Sequence, residues 1–127
     1  MAILHLTQDN LSDVLKQHAC VVIDFWATWC GPCRSFAPVF EDSARRHPEL
    51  CYAKIDVDQE QELAQAFAIR SVPSLLIIRE QILVAREAGA LPLHELESVV
   101  EQAMLIDMDD LRQEMAAMEG DCDAIDH

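Results

Sequence analysis

The sequence is poor in basic residues. It contains nine Lys and Arg against 23 Asp and Glu, which gives a formal net charge of -14 over 127 residues. Proteins that bind nucleic acids or anionic membranes use clustered basic side chains. Nine scattered basic residues do not form such a cluster, so we expect neither a nucleic acid nor a membrane surface among the partners.

Long apolar runs and a basic leader are missing as well. No apolar segment approaches the roughly 20 residues of a membrane-spanning helix. The first nine residues, MAILHLTQD, have no basic region before their short apolar stretch, unlike a signal peptide. The five cysteines are an odd number, which disfavours a fully paired secreted framework. These absences predict a cytoplasmic protein with reduced thiols.

The sequence does contain two cysteines at a strand-to-helix junction, in the pentapeptide WCGPC at residues 29–33. Residues 21–27 are apolar and rich in β-branched and aromatic side chains, which predicts a buried strand. Apolar residues then recur at helical spacing, at positions 36, 39, 40 and 44. Only a thiolate is nucleophilic, and the free N–H groups and dipole of a helix N-terminus favour negative charge. Cys30 is therefore expected to ionise more readily than a free cysteine.

The second cysteine is placed to form a disulfide with the first. With Gly31 and Pro32 in the first helical turn, Cys33 lies one turn on and on the same face as Cys30. Proline suits this turn because its missing N–H would have no partner there. We expect Cys33 to be the more buried thiol and the poorer first nucleophile.

Residues 24–34, DFWATWCGPCR, resemble the active-site segment of the thioredoxin family. The resemblance continues in order through AKIDVD at 53–58, IRSVPSL at 69–75 and GAL at 89–91, and covers most of residues 1–106. It implies an α/β thioredoxin fold, with a mixed central sheet flanked by helices. It also implies a thiol:disulfide oxidoreductase that reduces protein disulfides.

In this reaction the Cys30 thiolate attacks a substrate disulfide and Cys33 resolves the mixed disulfide. Asp24 is a carboxylate in an otherwise apolar strand, and burial would raise its pKa. The resemblance implies that Asp24 is the general base for Cys33 and that Lys54 is the partner of Asp24. The alternatives are an acid exposed at a strand edge and a solvated lysine.

The resemblance also implies a substrate-binding rim. Pro73 interrupts an apolar run at the head of a strand; the matching family proline is cis, and Val72 before it offers its backbone to an extended substrate. Ser71 stands where relatives often have glycine. The other expected contacts are Trp29, Gly31, Pro32, Ala88, Gly89 and Ala90. Trp29 could instead be an ordinary core residue.

No bound cofactor is expected beside the redox-active disulfide. The resemblance implies that electrons come from NADPH through a thioredoxin reductase, and that disulfide-containing proteins are the substrates. Cys30-x2-Cys33-x13-His47-x3-Cys51 also meets the spacing of a zinc module. A helix over residues 34–47 would span about 21 Å, too far for one ion to bridge. We therefore expect no metal.

The remaining pattern predicts alternating strands and helices. Strands are expected at 3–6, 51–57, 75–78 and 82–85, and helices at 7–18, 31–47, 61–68 and from Pro92, taken as the first helical residue. Residues 79–81 would close a hairpin between the last two strands. Glu80 and Gln81 offer no glycine for a turn with positive φ, which leaves the turn geometry and register open.

The C-terminal residues 107–127 hold eight acids and one basic residue, Arg112. This change in composition predicts a thioredoxin domain at 1–106 and an acidic, Met-rich extension at 107–127. A heptad-like stripe extends the last helix pattern over residues 104–118, and Gly120 could cap its end. The stripe could fold back on the domain, self-associate or recruit a specific partner. The alternative function is therefore a binding or adaptor module that acts through the extension.

Overall fold

The computed structural model describes the backbone of residues 3–125 and the side chains of residues 3–119. The side chain of Cys122, in the acidic extension, lies outside the described residues. The elements, in chain order, are β1 Leu4–His5, α1 Leu11–Gln17, β2 Cys20–Trp26, α2 Gly31–Arg46, β3 Cys51–Asp56, α3 Gln61–Ala66, β4 Ser74–Arg79, β5 Ile82–Ala88, α4 Leu93–Leu105 and α5 Met108–Ile125. No helix within the described part of the chain has the length and apolar character needed to cross a bilayer.

The five strands form one mixed sheet in the order β1-β3-β2-β4-β5. β3 pairs in parallel with both β1 and β2, whereas β4 pairs antiparallel with β2 and β5. Helices pack on both faces of this sheet. The predicted α/β architecture with a mixed central sheet is confirmed.

The central strand β2 faces two hydrophobic layers, because successive side chains of a strand point to opposite faces. Val21, Ile23 and Phe25 belong to one buried cluster, which Leu11 and Leu63 join from α1 and α3. Val22 belongs to the other cluster, which is built with α2 and α4. Asp24 has the same parity as Val22, so its carboxyl lies on the α2 side of the sheet.

The hairpin between β4 and β5 closes without glycine. Glu80 and Gln81 adopt φ values of 51° and 67°, the pattern of a two-residue type I′ turn. Arg79 pairs with Ile82, and a register shift occurs between Ile77 and Ile78. The predicted hairpin is therefore confirmed, and both turn residues occupy the left-handed region that L-residues enter only at a cost.

Several helix and strand boundaries differ from the predicted ones. The strand before the cysteines ends at Trp26 rather than at residue 27, and α1 begins at Leu11 rather than at residue 7. Pro92 is the extended N-cap of α4, not its first helical residue. Such shifts of a few residues arise where turns compete with the periodic pattern.

The prediction that the last helix pattern continues through residues 104–118 is wrong. α4 ends at Leu105, Ile106 is extended with ψ of 128°, and α5 begins at Met108. The Asp107 carboxylate accepts the backbone N–H of Asp110 at 3.1 Å, which is the hydrogen bond of an N-cap residue.

Gly120 does not end the new helix, which continues to Ile125. The start of α5 is held against the domain by Met108, which is buried, and by an Arg112–Glu80 ion pair of 2.7 Å. The domain boundary at residue 106 stays a prediction.

Candidate active site

The two cysteines lie where β2 gives way to α2, as the pattern predicts. Cys30 is the N-cap of α2, with extended φ and ψ of -93° and 111°. Cys33 lies at the third helical position, and the two residues form a disulfide with a Cα–Cα distance of 5.2 Å. The short loop at residues 27–29 and the helix N-terminus therefore bring both sulfur atoms together.

The hydrogen bond that Cys30 accepts at the helix N-terminus favours negative charge on its sulfur. Its Sγ accepts the backbone N–H of Cys33 at 3.1 Å, and the intervening Pro32 has no N–H to compete. The N-terminal end of the 16-residue α2 adds its positive dipole at the same atom. In the disulfide-bonded state both cysteines are 4 % exposed, so the expected greater burial of Cys33 is not found. The two sulfurs differ in their hydrogen bonding, because the backbone N–H of Cys33 points at Cys30 Sγ.

Asp24 lies fully buried in β2, the strand that leads to the redox pair, with 0 % exposure. Within the described part of the chain, neither carboxylate oxygen has a hydrogen-bond partner. Burial raises the pKa of Asp24 from 3.8 to about 7, and the positive charge of Lys54 partly opposes this rise. A carboxyl with a pKa near neutrality can both take up and release a proton at physiological pH.

Lys54 is the register partner of Asp24 across the parallel β2–β3 pair. Its ammonium group lies over the Trp26 ring, with 5.2 Å between Nζ and the ring centroid. A cavity of about 280 Å³ connects these groups to the redox pair, because Cys33, Trp26, Ala27 and Lys54 all line it.

Trp29 is a surface residue and not part of the core. It is 67 % exposed, and its indole Nε1 donates a hydrogen bond of 2.8 Å to Asp58 Oδ2. The sequence analysis missed Asp58. The available signal was an acid two residues after the end of β3, at the edge of the sheet where the parallel strand β2 also ends.

The segment before β4 faces the redox pair. The Val72–Pro73 peptide bond is cis, as the resemblance implies, and the Val72 carbonyl oxygen lies 3.6 Å from Cys30 Sγ. The backbone N–H of Gly89 donates to the Pro73 carbonyl at 2.8 Å, which brings the end of β5 to the same side. The structure thus places the end of β5 beside Pro73.

A shallow apolar cavity of about 150 Å³ opens between Trp29 and Val72. Ser71, which was predicted to contact substrate, also lines it. Ile69 and Arg70 also line this cavity and were not singled out in the sequence analysis. The other predicted rim residues are all exposed at the surface: Gly31, Pro32, Ala88, Gly89 and Ala90.

The comparisons with known proteins agree with this geometry. The thioredoxin family model matches residues 2–102. The chain belongs to the thioredoxin family. A Streptomyces coelicolor sequence that carries the name thioredoxin is 45 % identical over 113 residues, which cover 89 % of this chain and 84 % of the relative. Thioredoxin C-3 of Corynebacterium nephridii is 37 % identical over 102 residues, covering 80 % and 70 % of the two chains.

Solved thioredoxins share the fold. A thioredoxin variant from Entamoeba histolytica superposes with a TM-score of 0.73 at 37 % identity, and Fasciola hepatica thioredoxin with 0.75 at 33 %. Each match covers 80 % of this chain and 99 % of the solved one. About a fifth of this chain therefore lies outside the matched thioredoxin body. Family, fold and the Cys30–Cys33 disulfide together make the protein a thiol:disulfide oxidoreductase.

Three of the four residues of the alternative zinc spacing have other partners, and the fourth, Cys51, is a free buried thiol. Cys30 and Cys33 are bonded to each other, and the His47 Nε2 atom lies 3.1 Å from the Glu97 carboxylate. Among the side chains that the structure describes, no three His, Cys, Asp or Glu residues are grouped to hold a metal ion.

Proposed function

We propose that this thioredoxin is a general reductant of protein disulfides, with Cys30 as the attacking thiol. The observation that carries the proposal is the Cys33 N–H aimed at Cys30 Sγ, at the edge of an exposed apolar groove. A thiolate at Cys30 would accept this hydrogen bond and gain from the helix dipole.

Substrate binding would use the groove between Trp29 and Val72. The exposed indole supplies apolar contact area, and its hydrogen bond to Asp58 fixes its orientation. A substrate segment can lie extended beside the Val72 backbone, whose carbonyl is 3.6 Å from Cys30 Sγ, and pair with it as an added strand. The remaining rim contacts would come from residues 71, 73, 31–32 and 88–90.

The exchange then takes two steps. The Cys30 thiolate attacks one sulfur of the substrate disulfide, which forms a mixed disulfide and releases the other substrate sulfur as a thiolate. The Cys33 thiol gives its proton to Asp24, and its thiolate attacks Cys30 Sγ. The Cys30–Cys33 disulfide forms, the second substrate thiolate leaves, and two electrons have passed to the substrate. Lys54 would modulate how readily Asp24 takes that proton, since its charge acts on the pKa of Asp24.

The oxidised protein needs two electrons to react again. We propose that a thioredoxin reductase supplies them from NADPH, as for the family, and that the reaction takes place in the cytoplasm. Recruitment of a specific partner or self-association through residues 104–118 remains a prediction that no contact or comparison supports.

Dithiothreitol-driven reduction of insulin disulfides tests the proposal. The full-length protein should accelerate the reaction, and Cys30→Ser and Cys33→Ser should each abolish this turnover. Cys51→Ala is the matched control, because Cys51 is a buried thiol outside the site, and it should retain turnover. A folded parent protein without activity, or an active Cys30→Ser variant, would contradict the proposal.

A further inference from the structure

The position of the Lys54 ammonium group is the starting point. Asp24 and Trp26 are two residues apart on β2 and therefore point to the same face of the sheet. Lys54 lies opposite Asp24 on β3, yet its Nζ atom lies over the Trp26 ring, 5.2 Å from the centroid. This distance is within the range in which an aromatic face attracts a cation.

The carboxylate and the aromatic ring compete for the same cation. Asp24 is fully buried and, among the described residues, has no hydrogen-bond partner for either oxygen. A direct ion pair with Lys54 would supply such a partner. The structure instead shows the ammonium group on the indole, with only a longer-range effect on Asp24.

We propose that Trp26 is a positioning residue, whose indole face holds the Lys54 ammonium group out of a direct ion pair with Asp24. This inference rests on the proposed function, in which Asp24 accepts the proton of Cys33. A carboxylate paired directly with an ammonium group is a poorer proton acceptor, because the pair stabilises its ionised form. Trp26 thus keeps Asp24 available for the second exchange step.

Other charged or titratable groups border the two cavities that Trp26 and Lys54 share. They are Arg34 from α2, His5 from β1, Asp56 from β3 and Glu60 at the start of α3. Arg34 donates to the Thr28 carbonyl at 2.8 Å, Asp56 accepts the backbone N–H of Asp58 at 2.9 Å, and Glu60 accepts that of Gln8 at 2.9 Å. Arg34, Asp56 and Glu60 therefore have hydrogen-bond partners of their own, whereas the Lys54 ammonium group lies against the Trp26 indole.

A first test needs no substitution. The chain contains two lysines, Lys16 and Lys54, and Lys16 is exposed on α1. In proton NMR spectra, the ring current of Trp26 should move the ε-methylene signal of Lys54 upfield of that of Lys16. Equal shifts for the two lysines would overturn the proposal.

A second test measures the titration of Asp24 directly, by ¹³C NMR of its carboxyl carbon in the oxidised protein. Trp26→Leu should release Lys54 to pair with Asp24 and lower the titration midpoint by about one pH unit. Trp26→Phe retains an aromatic face and should stay within a few tenths of the parent. No fall in Trp26→Leu would overturn the proposal.

The loss of the indole could also admit water, which would lower the midpoint by hydration. The same pair of variants is therefore measured in a Lys54→Met background, where Trp26→Leu should no longer lower the midpoint. An equal fall with and without Lys54 would overturn the proposal.

Insulin reduction by Asp24→Asn judges the proposed function separately. If this variant reduces insulin as fast as the parent, the role of Asp24 as the base fails. The NMR titration still decides whether Trp26 positions Lys54.

Discussion

Replacement of Asp24 by Asn should stabilise the protein, and more so as the pH rises. Burial raises the pKa of Asp24 from 3.8 to about 7, and one pKa unit corresponds to about 1.4 kcal/mol. Ionising this carboxyl in the folded protein therefore costs about 4 kcal/mol more than ionising it in the unfolded chain. Asn resembles the protonated carboxyl in shape and carries no charge, so the variant avoids that cost.

The sign of the pH dependence follows from proton linkage. Below the pKa of the unfolded state both states are protonated, and the parent pays no penalty. Between pH 4 and pH 7 the unfolded chain loses its proton while the folded protein keeps it, so the stability of the parent falls as the pH rises. Above the folded pKa both states are ionised, and the difference from Asp24→Asn becomes constant.

Urea unfolding of the oxidised proteins between pH 5 and pH 9 measures this difference. The stability gain of Asp24→Asn should grow by about 2 to 3 kcal/mol between pH 5 and pH 8.5 and then level off. Asp9→Asn is the matched control, because Asp9 is exposed, and its effect should not change with pH. A constant difference for Asp24→Asn across this range would refute the account of a buried, unpaired carboxyl.

Three further predictions concern the rest of the domain. Gln81→Gly should stabilise the protein by about 0.5 to 1 kcal/mol in urea unfolding, because Gln81 has a φ of 67°; no gain would contradict a type I′ turn. Ser43→Ala should cost about 1 to 3 kcal/mol by the same assay, since the buried Ser43 hydroxyl bonds Tyr52 at 2.7 Å and Glu97 at 2.8 Å, and a neutral effect would show that these bonds do not matter. Burial raises the pKa of Cys20 to about 11, so its thiol should resist iodoacetamide at pH 8 in the folded, oxidised protein, and rapid labelling detected by mass spectrometry would contradict its burial.

The fold and the redox pair are predictable because their signals are local. A run of β-branched and aromatic residues before WCGPC and an amphipathic pattern after it suffice to place Cys30 at a helix N-terminus. The same apolar run isolates Asp24 as a charged residue in an otherwise apolar strand. The structure then shows that carboxyl at 0 % exposure.

The C-terminal extension shows where hydrophobic periodicity gives a wrong helix prediction. The apolar stripe over residues 104–118 runs across the end of α4 as though one helix continued. The break comes from Asp107, whose side chain caps a new helix at the N–H of Asp110. An N-cap residue followed three positions later by another acid is a helix-start signal, which the sequence analysis did not use.

Contacts between distant segments could not be predicted in the same way. The hydrogen bond from Trp29 to Asp58 joins residues 29 positions apart, and only the closed sheet brings them together. Whether the Lys54 ammonium group lies against the Asp24 carboxylate or the Trp26 indole also depends on side-chain geometry. Register places both candidates within reach, and the sequence pattern does not distinguish them.

Trapping of the mixed disulfide tests the central claim most directly. Cys33→Ser cannot resolve the intermediate, so incubation with insulin should give a covalent adduct at Cys30, located by peptide mass spectrometry. Cys30→Ser should give no adduct at Cys33, and a variant lacking both cysteines reports any reaction at the other thiols. An adduct at Cys33 in Cys30→Ser, with none at Cys30 in Cys33→Ser, would contradict the assignment of Cys30 as the attacking thiol.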